Sequence, residues 1–429
     1  MTEKARIAIL TNFMEFNPGY SLTGIVLDQM RMLIQYGHEV HLFVNSKYYK
    51  PDEFPIEGVH FHPLIPFAHL KDYRSESELT EDHHKIVQET KMVIVNQFKK
   101  LEIDIAFTHD FVFQGWFMPY GLGVRQASPH LPDVRWLHWI HSVPTVMTDW
   151  WQIKRYGSNH KIVFPNATDR LLVAEQYRGT IEDVRTIHHI KDMRSWMEFD
   201  SETCDFINQY PAVMQADVVK IYPASVDRLS AKKIRSVINI MAEIKKQGKS
   251  VCFVVANQWA TTNTHKESVK NYYNVGATAG LVPGKDFIFT SDFKPPKYEV
   301  GIPARMVREL FSLSNLFIFA TREESFGLVL PEAALAGGVL TVCNKSLGML
   351  KEVAGNNGLF FDFGSFQHDF NALNEEQYHK DLAFIITGRM KENESLMAKT
   401  FMRKTYNWDR LYREEYAPVF AESKLWNKK

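Results

Sequence analysis

Cysteine is scarce in this 429-residue chain, and the three present, Cys204, Cys252 and Cys343, form no C-x-x-C pair. An odd, scattered set excludes a disulfide framework and a thiolate zinc site, and it suits a reducing, cytoplasmic setting. Runs of about eighteen apolar residues are missing, and the apolar stretch after Met1 is too short for a signal-peptide core. No integral membrane segment is therefore expected. Charge of one sign is lacking as well. Fifty Lys and Arg balance fifty Asp and Glu, so no global field draws the protein to nucleic acid or to a membrane surface, and either partner would need a local patch.

What is present is material for a large core: 45% of residues are hydrophobic and 13% aromatic, and the length allows two or three domains. Short β-rich runs alternate with longer amphipathic stretches from the start. Residues 6–10 read as a strand, 25–36 as a helix stopped by Gly37, and 39–44 as the next strand, with further strands at 103–108 and 136–140. A second series has strands at 218–222, 250–255, 288–290, 316–320, 339–342 and 359–361, and a helix at 231–247 closed by Gly248. This pattern predicts an α/β protein of two Rossmann-like, doubly wound domains. The polar, mixed-charge stretch 177–215 places their junction at about residue 215, giving domains 1–215 and 216–400. Residues 1–150 carry 13 basic and 18 acidic side chains, whereas 151–250 carry 16 and 12; the positive excess at the junction suits an anionic ligand.

The most informative segment is 321–338, T-R-E-E-S-F-G-L-V-L-P-E-A-A-L-A-G-G. A strand leads into a turn, and a helix follows, with Pro331 allowed only in its first turn and Gly337-Gly338 ending it. Free amides around Phe326, Gly327 and Leu328 then sit at a helix start, where unpaired N–H groups favour a phosphate or sugar oxygen. Glu324 lies before that start and Glu332 about one turn inside it.

This wording, Glu324 and Glu332 separated by seven residues, resembles the Glu-x7-Glu signature of retaining glycosyltransferases of the two-domain GT-B architecture, glycosyltransferase family 4 in particular. The resemblance implies a cleft between two Rossmann-like domains, with a nucleoside diphosphate sugar, UDP- or GDP-linked, as donor. It also implies that Glu332 holds the ribose hydroxyls, that Glu324 lies near the transferred sugar, and that no cofactor or metal is required. Arg228-Leu-Ser-Ala-Lys-Lys233 resembles the family's diphosphate grip, with Arg228 and Lys233 at the family spacing and Lys232 as an alternative. Two fixed cations there would stabilise the charge of a leaving diphosphate.

Further residues follow from the same likeness. The loop 17–24, ending at Gly24, resembles the phosphate-approaching loop of the first domain, although its glycines are separated. Among Trp136-Leu-His-Trp-Ile-His-Ser142, His141 is expected to contact the donor sugar, with His138 and His109-Asp110 as further candidates; strand carboxyl ends are where open α/β sheets bind ligands. Asn257 and Ser291 mark loops expected to touch the donor. A C-terminal helix, about 401–429, is expected to return to the first domain, with Trp408, Leu411, Tyr412 and Tyr416 on one face. His60/His62, His83/His84 and His188/His189 lack a recognisable third ligand, so no metal site is expected. The acceptor has no readable motif: glycan, lipid-linked sugar and hydroxymethylated DNA base all remain open, and tryptophans such as Trp116, Trp136, Trp139, Trp150 and Trp151 could stack or simply pack. A sugar-nucleotide 2-epimerase and an inactive nucleotide-sugar-binding protein are the rival readings.

Overall fold

The computed structural model describes all residues except 1–3, 18, 50–55, 70, 72, 74, 143–150, 295, 369, 371 and 424–429. The chain forms two compact units, the first from residues 1–192 and 406–429 and the second from 193–405.

The first unit is built on seven parallel strands: β1 (Arg6–Leu10), β2 (Glu39–Asn45), β3 (Val59–Ile65), β4 (Ile105–His109), β5 (Arg135–Trp139), β6 (His160–Phe164) and β7 (Val184–Thr186). Their order is β3-β2-β1-β4-β5-β6-β7. Side chains alternate between sheet faces, so Ala8 and Leu10 enter one apolar cluster while Ile7 and Ile9 enter the other. Burial of both faces explains the largely apolar runs of the central strands β1, β4 and β5.

The second unit contains β8 (Val218–Ser225), β9 (Val251–Gln258), β10 (Phe287–Phe289), β11 (Leu316–Phe319), β12 (Leu340–Asn344) and β13 (Leu359–Phe361). They pair in parallel as β10-β9-β8 and β11-β12-β13. Asn315 joins the halves: its N–H donates to the Val219 carbonyl at 3.1 Å, and its Oδ1 accepts from the Val219 amide at 2.9 Å. β11 therefore runs beside β8.

Two boundaries differ from the sequence expectation. The junction lies at 192/193, not 215, because the helix Ser201–Gln209 belongs to the second core. Phe206 and Ile207 are buried there, and Thr203 Oγ1 donates to Glu309 Oε2 at 2.5 Å. A polar, charged surface on one side of this helix made the segment read as a linker. At the other end the helix Glu394–Thr405 also stays with the second unit, where buried Arg403 donates to the carbonyls of Met214 at 2.6 Å and Ala216 at 2.7 Å. The return begins at Tyr406. Trp408, Leu411, Tyr412 and Tyr416 are all buried in the first unit. Tyr412 stacks on Tyr36 with ring centres 3.6 Å apart, and its hydroxyl lies 2.6 Å from His38 Nε2.

Candidate functional site

In each unit the strand order reverses at one point, between β1 and β4 in the first and between β8 and β11 in the second. Loops at the carboxyl ends of strands flanking such a point diverge and leave a crevice. Arg228, Glu323 and Glu324 of the second unit, and His109 and Asp110 of the first, fall at these ends.

In the second unit Arg228 ends the short turn Val226–Arg228 after β8, and Glu323 and Glu324 follow β11. The Arg228 guanidinium pairs with the Glu323 carboxylate. Lys232 Nζ lies 2.7 Å from Glu324 Oε2, with the two side chains only 14% and 23% exposed. The loops are fastened by their backbones as well, since the Arg322 amide donates to the Ala231 carbonyl at 2.8 Å. Two cations and two carboxylates thus meet across the β8/β11 crevice.

Lys233, favoured by its spacing, is placed differently. It has a left-handed backbone, φ 52°, and precedes the helix Ile234–Lys246. Its charge helps to lower the pKa of His379, for which burial is the main cause. The turn that bonds the Lys232 amide to the Arg228 carbonyl at 2.8 Å sends consecutive side chains in different directions. Lys232 is therefore the lysine at Glu324.

Gly327 shapes the next segment. Its φ of 82° lies in the left-handed region, and a Cβ there would stand 2.8 Å from the Phe319 ring and 3.3 Å from Glu324 Cγ. Only glycine lets the chain turn this closely over β11. The helix Val329–Gly337 starts at once, with no side-chain cap, and Gly338 closes it at φ 60°. The amides of Gly327, Leu328 and Val329 precede its first i→i−4 bond, and they carry the positive end of the helix dipole. Phe326 and Leu328 are exposed beside them. Glu332 is exposed in the first turn.

Asn257 and Ser291 are brought together, but as a brace. Asn257 Oδ1 accepts from the Ser291 amide at 3.0 Å and from Thr290 Oγ1 at 3.3 Å, linking the carboxyl ends of β9 and β10. Asn257 is buried, and through its Oδ1 it holds the loop after β10 against the end of β9. Gly24 also departs from expectation: the helix begins at Ser21, so Gly24 is in its first turn and not in the loop. Thr23 Oγ1, donating to the Tyr20 carbonyl at 2.6 Å, fixes that early start.

In the first unit, histidines at the carboxyl ends of β4 and β5 form a chain. Gln29 Oε1 lies 2.7 Å from His109 Nε2, His109 Nδ1 lies 2.9 Å from His141 Nε2, and His141 Nδ1 lies 3.0 Å from His189 Nε2. An amide oxygen only accepts, so His109 carries its proton on Nε2, and neutral His141 and His189 must each donate from Nε2. Burial keeps them neutral, pulling His109 down to about 3 and His141 well below its ordinary value. Both ring nitrogens of His141 are engaged by other imidazoles. His138 belongs to a separate buried pair, its Nε2 2.8 Å from His160 Nδ1.

Asp110, a further candidate beside His109, is buried next to His141. It has a left-handed backbone, φ 46°, which costs on the order of 1 kcal/mol or more. Its Oδ1 accepts from the His141 amide at 2.9 Å and from Gln114 Nε2 at 3.1 Å. Burial nevertheless raises its pKa to about 6, the two hydrogen bonds offsetting only part of that cost. Its sequence position at a strand carboxyl end was visible; its burial was not.

No protein-family model matches the chain, and no curated protein matches it in sequence. Solved structures resemble it along nearly the whole length at low identity. A glycosyltransferase from Rickettsia africae is 15% identical, with 98% of each chain covered and a TM-score of 0.38. HepE from Anabaena, solved in complex with UDP, is 14% identical over 97% of this chain and 100% of that one, with a TM-score of 0.33. WaaG, a glycosyltransferase involved in lipopolysaccharide biosynthesis, is 12% identical with 98% of each chain covered and a TM-score of 0.31. Likeness of this degree assigns no activity, and the functional reading rests on the residues of this chain.

Proposed function

We propose that the protein is a retaining glycosyltransferase of GT-B type that transfers a sugar from a UDP- or GDP-linked donor to an acceptor hydroxyl. The observation that carries this reading is the meeting of Arg228 and Lys232 with Glu323 and Glu324 at the β8/β11 crevice, beside the open amides of Gly327 and Leu328. Cations held in place by carboxylates are preorganised for a diphosphate, so little reorganisation accompanies charge development on the leaving group. Glu324 is then available to sugar hydroxyls and exposed Glu332 to the ribose. In transfer with retention, the anomeric C–O bond to the diphosphate breaks while the acceptor oxygen bonds to the same carbon on the same face. The acceptor proton passes to the departing phosphate oxygen, and the route needs no resident cofactor.

The acceptor belongs, in this reading, to the first unit. Trp136, Trp139 and Trp151 are buried and Trp150 lies outside the described residues, whereas Trp116 is 45% exposed on the turn Gly115–Phe117. An exposed ring suits stacking on a sugar. One observation favours a second reading, a sugar-nucleotide 2-epimerase: Asp110, with its pKa raised to about 6, is suited to proton transfer near neutral pH.

Incubation with UDP- and GDP-hexoses and an acceptor panel separates the readings. Release of free nucleotide only when an acceptor is present supports transfer, and epimerised donor supports the second reading. Glu332→Ala should weaken donor binding with the fold intact; unchanged affinity by calorimetry would remove the ribose assignment.

A further inference from the structure

The first sheet carries a histidine cluster at its other end, unconnected with the crevice residues. β3 is the edge strand, and the parallel register sets His41 beside His60 and Phe43 beside His62. Glu39, His41, His60 and His62 share one face, because side chains two residues apart point the same way. The Glu39 Oε1, His41 and His60 ligand atoms all lie within 4.8 Å of one another. His41 Nε2 is 3.1 Å from Glu39 Oε1, and His60 Nε2 is 3.9 Å from the same oxygen. Ligand atoms about 2.0–2.2 Å from a tetrahedral zinc stand roughly 3.3 Å apart, so a small rotation of the exposed His60 ring brings all three into range.

A ligating histidine normally gives its other ring N–H to an acceptor, which fixes its tautomer. That acceptor is in place: His41 Nδ1 lies 3.1 Å from His62 Nε2. When a cation takes the lone pair on His41 Nε2, the ring proton sits on Nδ1 and is donated to His62, whose own proton then resides on Nδ1. No proton is gained or lost among the four side chains. Arg6, the register neighbour of Glu39, is drawn away by Glu102 and by Asp104, whose Oδ2 is 3.8 Å from Arg6 Nε, and this leaves the Glu39 carboxylate to the imidazoles. Arg6 and Lys100 are the nearby cations that oppose a metal charge.

We propose that Glu39, His41 and His60 form a binding site for a borderline divalent transition metal such as Zn²⁺, with His62 as the acceptor that orients His41 and water completing the tetrahedron. Two imidazoles and one carboxylate suit zinc or cobalt and are a poor match for magnesium or calcium, which prefer oxygen. Glu39 and His41 lie towards the amino end of β2, and His60 towards that of β3. The crevice residues lie beyond strand carboxyl ends, so the proposed site braces the β2–β3 edge and does not take part in transfer.

The test uses the full-length protein stripped of metal. Titration with Zn²⁺ in a calorimeter, and with Co²⁺ followed by its visible tetrahedral bands, should show one equivalent bound. Glu39→Gln and the exposed-site variant His60→Ala should each weaken binding at least about tenfold, and saturating Zn²⁺ should raise the melting temperature of the wild type but not of His60→Ala. Substituting His84, exposed on the helix Glu81–Leu101, should leave affinity unchanged. Circular dichroism of the metal-free variants confirms their fold. Absence of binding in the wild type, or wild-type affinity in the Glu39 and His60 variants, overturns the proposal.

Discussion

Lys232 Nζ stands 2.7 Å from Glu324 Oε2 where β8 and β11 diverge, whereas its neighbour Lys233 lies near His379. The two lysines therefore make distinct predictions although they are adjacent in sequence. Lys232→Ala is expected to lower turnover by about 10² or more through loss of charge stabilisation, while Lys233→Ala stays within about threefold of wild type. Nucleotide release under saturating donor measures both. The reverse ranking would return the diphosphate grip to Lys233.

Gly327→Ala is a stability test of the turn over β11. A methyl group meets the Phe319 ring at 2.8 Å in a backbone of φ 82°. Strain of this kind is expected to cost about 1–3 kcal/mol, with donor binding lost in parallel because the same turn sets the helix amides. Urea unfolding and donor titration on one preparation check the pair of effects; an alanine variant as stable as wild type contradicts the packing described.

Lys220 lies in β8 at 0% exposure with no hydrogen-bond partner for Nζ among the described residues. Three rings surround the amine, Tyr222, Phe317 and Phe253, with centroids at 4.0, 4.6 and 5.4 Å. Ring faces attract a cation by about 2 kcal/mol when desolvated, less than the several kcal/mol that dehydration of the ion costs. Burial accordingly holds the amine well below its ordinary value. The unfolded chain then binds a proton that the native state refuses, so the contribution is full above about pH 10.4 and diminishes as pH falls towards the folded value. Lys220→Met should be the more stable protein at pH 7, by about 1–3 kcal/mol, and should lack this alkaline dependence. Denaturant midpoints between pH 7 and 10 decide it, and a destabilised Met variant would count against a neutral buried amine.

Asp110 has the opposite sign. Its folded pKa, about 6, exceeds the unfolded value of about 3.9, so native Asp110 holds its proton longer. Its contribution is complete below about pH 4 and is lost as pH rises through about 6. Asp110→Asn should flatten the stability profile across this window. If epimerisation is the activity, it should also abolish it, whereas a transferase acting without a protein base should retain measurable turnover.

Much of the second-unit site is visible in one dimension. Pro331, Gly337-Gly338 and the acid-rich turn at 322–324 announce strand, turn and helix because backbone conformation is a local demand. Gly327 also announces a sharp turn, but its contact with Phe319 does not appear in any local pattern. The pairing of Asn257 Oδ1 with the Ser291 amide, 34 residues further on, likewise has no local signal. The cluster Glu39, His41 and His60 escaped notice because its members meet only through strand register.

The sequence by itself determined the α/β class, the two series of strands and helices, and the motif at 321–338, since hydrophobic period and glycine placement depend on neighbours along the chain. Tertiary structure alone decided that Lys232 meets Glu324, that the units divide at 192/193 and 405/406, and that Asp110 is buried beside His141. Those outcomes depend on which face of each element packs and on which strands become neighbours, and a linear pattern carries neither.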